Sequence, residues 1–85
     1  MDISRAEQRI LHLLAQGGRI EKLKDDNNDL IYECFTRDGW RYPQLDTHLF
    51  RKLKRKRAIA SRGGRPYQIT RRGLQLVRAQ FDNCG

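Results

Sequence analysis

The chain lacks long apolar runs, and it has few cysteines and prolines. No segment approaches the roughly eighteen consecutive apolar residues of a membrane-spanning helix. The opening residues MDISRAEQ have neither the basic region nor the apolar core of a signal peptide, so we expect a cytoplasmic protein without a membrane partner. Cys34 and Cys84 lie fifty residues apart, with no CxxC pattern and no nearby histidine pair. This spacing argues against a structural disulfide or a metal site, and we expect no cofactor.

The chain is also short of carboxylates between residues 46 and 78. Asp46 is the single carboxylate there, against eleven Lys and Arg, whereas residues 1–45 carry seven basic and eight acidic side chains. The net charge of +8 is therefore concentrated in one part of the sequence. A field of this kind attracts phosphate backbones, acidic protein surfaces or anionic membranes, and it indicates an acidic partner.

The N-terminal residues predict a short amphipathic helix. Ser4 and Glu7 form the S-x-x-E capping box, which places the helix start at Arg5. Gly17 and Gly18 provide a left-handed stop after the last turn. Four apolar residues recur at helical spacing and are predicted to form the buried face: Ala6, Ile10, Leu13 and Leu14.

The middle of the chain predicts a hairpin followed by an extended segment. Residues 19–24 and 30–36 read as strands, because the Asp- and Asn-rich residues 25–29 between them tolerate turn conformations. After a turn at residues 37–39, Pro43 argues against a helix and favours an extended stretch packed on the domain.

The basic region predicts a helix, a strand pair and a last helix. Asp46 is an N-cap for a helix reaching residue 56, and residues 58–61 and 67–70 read as strands around a glycine-arginine turn. Thr70 is a cap for the last helix. The helix after Asp46 is predicted to bury Leu49, Phe50 and Leu53 and to expose Thr47, Arg51, Lys54 and Arg55 on the opposite side. The last helix is predicted to bury Leu74, Val77 and Phe81.

Together these elements predict an α+β fold, a single winged-helix-like domain over residues 1–85. It has about three helices, an N-terminal hairpin and a C-terminal wing hairpin. At this length the domain buries only about 60% of its unfolded surface. A hairpin occupies the place of the usual second helix, so the helix-turn-helix unit is incomplete, which weakens the case for operator recognition.

The basic helix and wing are predicted to bind nucleic acid or an acidic partner. The alternative is a solvated face that keeps a small core soluble, but an even spread of charge would be expected in that case. Sequence-specific readout of bases usually needs Asn, Gln, Arg or Ser in the N-terminal half of the inserted helix. That half offers Thr47, His48 and Arg51 here, so sequence-specific recognition is unsupported. The predicted binding residues are Arg51, Lys54, Arg55, Arg62, Arg65, Arg71 and Arg72.

Three apolar or aromatic residues are candidate protein contacts. Trp40 and Tyr42 could form an exposed contact pair, although a domain this small usually needs its single tryptophan for packing, so burial of Trp40 is the favoured interpretation. Leu76 falls on the side of the last helix away from Leu74 and Val77, which makes it a candidate contact for a partner or a second copy.

Metal binding and catalysis have weaker signals. Asp25, Asn27 and Asp29 imitate a calcium loop, but Leu30 replaces its glycine and Thr36 its closing glutamate. No Ser, Cys or carboxylate stands at a spacing from either histidine that suggests a nucleophile and its base. We therefore expect no enzymatic activity.

The sequence resembles the YjhX family of small bacterial proteins. Three segments carry the resemblance: SRAEQRILHLLAQGGRI, FRKLKRKRAIASRGGRPYQI and GLQLVRAQFDN. Members of that family place a variable, turn-rich stretch, here KDDNNDLIYECFTRDGW, between the first helix and the basic one. The match spans nearly the whole chain.

The resemblance implies the toxin of a toxin–antitoxin pair. The family is described as inhibiting bacterial DNA topoisomerase I by binding the enzyme, and it has no assigned catalytic residues to carry over. The implied partners are that topoisomerase and a cognate antitoxin. The alternative, which follows from the basic surface, is a regulator that binds duplex DNA.

Overall fold

The computed structural model describes residues 3–82, with side chains through residue 79, and shows three helices and two antiparallel sheets in that part of the chain. The helices are α1 (Arg5–Ala15), α2 (Thr47–Arg55) and α3 (Arg71–Asp82). The first sheet has the order β1 (Arg19–Lys24), β2 (Leu30–Phe35), β3 (Arg41–Tyr42), and the second pairs β4 (Ile59–Ala60) with β5 (Gln68–Ile69). This arrangement confirms the predicted α+β class, with three helices, an N-terminal hairpin and a C-terminal hairpin in the described residues. The wing strands are shorter than predicted.

Helix α1 begins at the predicted capping box, and its buried face matches the prediction in part. The Ser4 hydroxyl accepts from the Glu7 N–H at 3.1 Å, and the Glu7 carboxylate accepts from the Ser4 N–H at 2.9 Å. The prediction for Ala6 was wrong, since Ala6 is exposed, whereas Leu13 is half-buried and packs against the core. The buried residues of α1 are Glu7, Ile10, Leu11 and Leu14. Glu7 holds an inward position because its charge is paired across the core.

Helix α2 begins at its predicted cap and presents its predicted apolar face. The Asp46 carboxylate accepts from the Leu49 N–H at 2.7 Å. Leu49, Phe50 and Leu53 are all buried. The predicted outer residues of α2 are exposed: Thr47, Arg51, Lys54 and Arg55. The local sequence therefore predicted both the start and the orientation of α2.

A pair of backbone hydrogen bonds and an aromatic cluster join the two sheets to α2. Ile20 and Tyr67 exchange N–H to carbonyl bonds of 3.0 and 2.8 Å, which links β1 to the base of the wing. The rings of Tyr32 and Phe50 stack with centroids 3.8 Å apart, and the Tyr67 ring meets Phe50 edge-on at 5.0 Å. These contacts fix the position of the wing relative to α2.

Helix α3 has its predicted cap but is rotated relative to the prediction. The Thr70 hydroxyl accepts from the Gly73 N–H at 3.1 Å. Leu76 is 5% exposed and packs in the core with Val77, whereas Leu74 is 39% exposed, so the predictions for Leu74 and Leu76 were both wrong. The predicted packing of the Phe81 side chain lies outside the described side chains, and so does Cys84, for which a disulfide or metal site was not expected.

The predicted burial of Trp40 was also wrong. It is 73% exposed in the turn between β2 and β3, while Tyr42 packs half-buried against the core. The core is complete without the indole, because the aromatic cluster of Tyr32, Phe50 and Tyr67 fills the space beside α2. Within residues 3–82, no helix has the length and apolar character needed to cross a membrane.

Candidate functional site

The wing ends in a tight turn that brings two arginines together. The Arg62 carbonyl accepts from the Arg65 N–H at 3.1 Å, and Gly63 and Gly64 between them have φ of 59° and 76°. Positive φ at both central positions is the type I′ hairpin turn, which glycine adopts without steric cost. Since the ends of a β-turn lie within about 7 Å, Arg62 and Arg65 project from neighbouring positions.

A groove of about 420 Å³ lies between the wing and the start of α3. Arg62, Arg65 and Arg71 all line it, together with Pro66 and Thr70, and no Asp or Glu is among its described lining residues. The first turn of α3 adds the positive end of a helix dipole beside Arg71. This wing groove therefore brings three of the predicted binding residues together in a form suited to an anion.

The predicted residues of α2 lie outside the wing groove and form a separate exposed row. Arg51 and Arg55 are four residues apart and share one side of the helix. The Lys54 ammonium leans toward the wing, with its Nζ 5.9 Å from the Tyr67 ring centroid and 6.0 Å from that of Phe50. Lys54 thus lies between the arginine row and the base of the wing. Arg72 is exposed on the first turn of α3.

One cation of the basic region points inward. The Lys56 Nζ donates to the Glu7 carboxylate at 2.7 Å, and the Glu7 side chain is 1% exposed. Burial alone would raise the pKa of Glu7, but hydrogen bonds from Lys56 and Ser4 and the Lys56 charge outweigh it and hold the pKa below its usual value. Lys56 therefore ties the end of α2 to α1.

Arg57 is a further candidate that the sequence did not reveal. It follows the α2 cap with φ 58°, and the Ala58 N–H donates to the Leu53 carbonyl at 3.0 Å, which completes a Schellman motif. The matching position after α1 is Gly17, with φ 104°. The Arg57 side chain is exposed, and its carbonyl accepts from the Thr70 hydroxyl at 2.6 Å, so Arg57 lies beside the wing groove.

An arginine in left-handed backbone is a strained choice that glycine would relieve. The conformation costs a non-glycine residue about 1–2 kcal/mol. Backbone strain is often retained at functional sites. Because Arg57 is an exposed cation next to the wing groove, its strain makes the side chain a candidate for binding an anion. Sequence patterns gave no sign of it, because Arg57 reads as one more charge in a basic run.

The three candidate protein contacts do not form one site. Leu76 is buried, and Tyr42 and Trp40 lie at the β2–β3 turn, among residues that the wing groove does not include. Trp40 is held by its backbone, since its N–H donates to the Thr36 hydroxyl at 3.0 Å.

The acidic stretch before β2 is used as a turn. The Asp25 carboxylate accepts from the backbone N–H groups of Asn27 and Asp29, each at 2.9 Å. Among the described residues, no three His, Cys, Asp or Glu side chains form a cluster that could hold a metal. Burial raises the pKa of the Cys34 thiol to about 11, which keeps it in its unreactive neutral form.

Comparison with known proteins adds a family. The model of the YjhX toxin family, described as "Putative toxin of bacterial toxin-antitoxin pair", matches residues 1–84. A UPF0386 protein of Hyphomonas neptunium is 69% identical over 85 residues, covering 99% of this chain and 100% of that protein. A UPF0386 protein of Rhizobium etli is 67% identical over 84 residues, covering 98% and 99% of the two chains. No solved structure matches the chain.

Proposed function

This chain belongs to the YjhX toxin family, and on that basis we propose that it is the toxin of a toxin–antitoxin pair that binds bacterial DNA topoisomerase I and inhibits it. The target is the one that the family resemblance implies. In this proposal the protein acts in the cytoplasm as a binding inhibitor, without chemistry of its own.

One structural observation supports this proposal above the others. Arg62, Arg65 and Arg71 line a single groove, and the arginine row of α2 is exposed as a second cationic surface. Arginine binds a carboxylate through two parallel hydrogen bonds. The cationic groove can therefore bind carboxylates on the surface of the enzyme itself, without DNA.

The first test is capture of topoisomerase I by the purified protein after nuclease treatment. We expect capture to survive removal of DNA, and relaxation of supercoiled DNA to slow in proportion to the ratio of this protein to the enzyme. Loss of capture after nuclease, or recovery of full relaxation on adding carrier DNA, contradicts direct inhibition and indicates coating of the DNA.

Charge reversal then locates the surface. Arg62→Glu with Arg65→Glu should weaken both capture and inhibition, because it inverts the charge of the wing groove. Arg5→Glu with Arg9→Glu is the matched control: it makes the same change of charge on exposed residues of α1 and should leave both intact. Equal loss in the two variants means that overall charge, rather than the wing groove, governs binding.

Duplex DNA binding is the second candidate function. The observation that favours it is the pairing of an exposed basic helix with a basic wing, as winged-helix proteins use on DNA. Binding should fall steeply with salt, with a slope that corresponds to about four to six phosphates. The triple variant Arg51→Glu, Lys54→Glu, Arg55→Glu should abolish it. Retained affinity in that variant moves the DNA contact away from α2.

A further inference from the structure

A second groove, of about 460 Å³, lies on the outer face of α1. The inner face of this helix packs in the core through Ile10, Leu11 and Leu14. The outer face lines the groove with Arg5, Arg9 and His12, spaced to form one row along the helix. This α1 groove shares none of its described lining residues with the wing groove.

The other wall of the α1 groove is apolar and aromatic. Leu13 from α1 and Tyr42 from β3 line it, with Thr36 at the end of β2. Trp40 precedes β3 and is joined to Thr36 through its backbone, because the Thr36 N–H donates to the Trp40 carbonyl at 2.8 Å. Trp40 is not among the residues that line the groove, but its indole is 73% exposed and its backbone is bonded to Thr36, which does line it.

These features specify the chemistry of an occupant. Exposed aromatic residues and arginines are enriched where binding energy concentrates at protein interfaces. The basic row selects carboxylates, because no Asp or Glu is among the described residues that line the groove. Leu13, Tyr42 and the apolar stems of the arginines select aliphatic anchors. A segment that carries both is an acidic amphipathic helix.

We propose that the α1 groove, with Trp40, binds an acidic amphipathic helix of a partner protein, and we assign that helix to the antitoxin. The assignment to the antitoxin rests on the proposed function, but the chemistry of the groove does not. A protein helix is favoured over nucleic acid because one wall of the groove is apolar. The partner on this face leaves the wing groove open.

Trp40 supplies the readout, since it is the single tryptophan of the chain. The probe is an acetylated, amidated 18-residue peptide with leucines at i, i+4 and i+7 and glutamates on the flanking positions. The control peptide has the same composition, shuffled so that the leucines do not share a face. Binding is followed by Trp40 emission, which moves to shorter wavelength when the indole leaves water, and by anisotropy of a labelled peptide.

We expect saturable binding of the first peptide with a shift of Trp40 emission, and about tenfold weaker binding in the variant Arg5→Glu with Arg9→Glu. The variant Arg62→Glu with Arg65→Glu should bind the peptide as the parent does. Failure to saturate below about 1 mM, equal binding of the shuffled peptide, or equal loss in both variants overturns the proposal.

Two further outcomes separate this inference from its rivals. If duplex DNA shifts Trp40 emission and the Arg5, Arg9 variant loses that effect, the α1 groove is a nucleic-acid site and the proposal is wrong. If topoisomerase capture fails while peptide binding follows the expected pattern, the proposed function falls and the α1 groove stands. If the parent protein captures topoisomerase but does not bind the peptide, the α1 groove proposal falls and the proposed function stands.

Discussion

Replacing Arg57 by glycine should stabilise the protein and weaken its binding to polyanions at the same time. Arg57 occupies the left-handed position after α2 with φ 58°, where α1 uses Gly17. Its side chain is exposed, so its removal deletes little packing. The change in stability measures the conformational cost of Arg57, and the change in polyanion binding tests its proposed role as an anion contact.

The magnitude follows from two opposing terms. Relief of left-handed strain contributes about 1–2 kcal/mol, and the greater backbone freedom of unfolded glycine costs about 0.5–1 kcal/mol. The net gain in the free energy of unfolding is about 0.5–1 kcal/mol, which corresponds to a rise in Tm of about 3–6 °C for a domain of this size. Loss of one phosphate contact lowers the salt slope of duplex binding by about 0.9.

Urea unfolding followed by circular dichroism measures the first effect, and duplex titrations at several salt concentrations measure the second. Arg57→Lys is the matched control, because it keeps both the charge and the strained backbone and should change neither quantity much. A glycine variant that is no more stable than the parent refutes the strain argument. A stabilised variant with an unchanged salt slope refutes the contact.

The remaining predictions concern buried groups. Glu7→Gln should cost about 2 kcal/mol at pH 7, measured by urea unfolding. The folded pKa of Glu7 is lowered, so its contribution to the free energy of unfolding is present above its ordinary pKa of 4.5 and is lost as pH falls through the folded value. The difference in stability between variant and parent should therefore vanish in acid. A difference that does not depend on pH contradicts the ion pair. Leu76→Ala should cost about 2–3 kcal/mol and Leu74→Ala less than about 1, and the reverse order would restore the face predicted from sequence. The Cys34 thiol should resist iodoacetamide at pH 8 until urea unfolds the chain; rapid alkylation of native Cys34 would contradict its burial.

Sequence predicted those parts of the fold that neighbouring residues determine. The capping box at Ser4 and the caps at Asp46 and Thr70 satisfy backbone donors within three residues, so their patterns identify helix starts without tertiary information. The glycine pair of the wing turn is equally local, because glycine, which has no Cβ, adopts positive φ without steric cost. The order of elements followed from these signals.

The orientation of α1 and α3 could not be predicted in the same way. On α3, Leu74, Leu76 and Val77 permit two apolar stripes, and packing against other elements, α1 and β5 among them, selects the stripe that buries Leu76. On α1, Glu7 is buried because Lys56, 49 residues away, neutralises it. A polar residue at an inward position reads as surface until its distant partner is known.

The ion pair between Lys56 and Glu7 also reduces the number of cations that are available to bind a partner. Of the eleven cations between residues 46 and 78, Lys56 is directed into the core by its ion pair with Glu7, and Lys52 is half-buried. The count of eleven cations therefore overstates the number of phosphates that the protein can neutralise. A measured salt slope well below eleven is the expected sign of a folded surface, in which the wing groove and the arginine row of α2 make the contacts. A slope near eleven would instead describe a chain that binds through total charge, without the geometry that the wing groove provides.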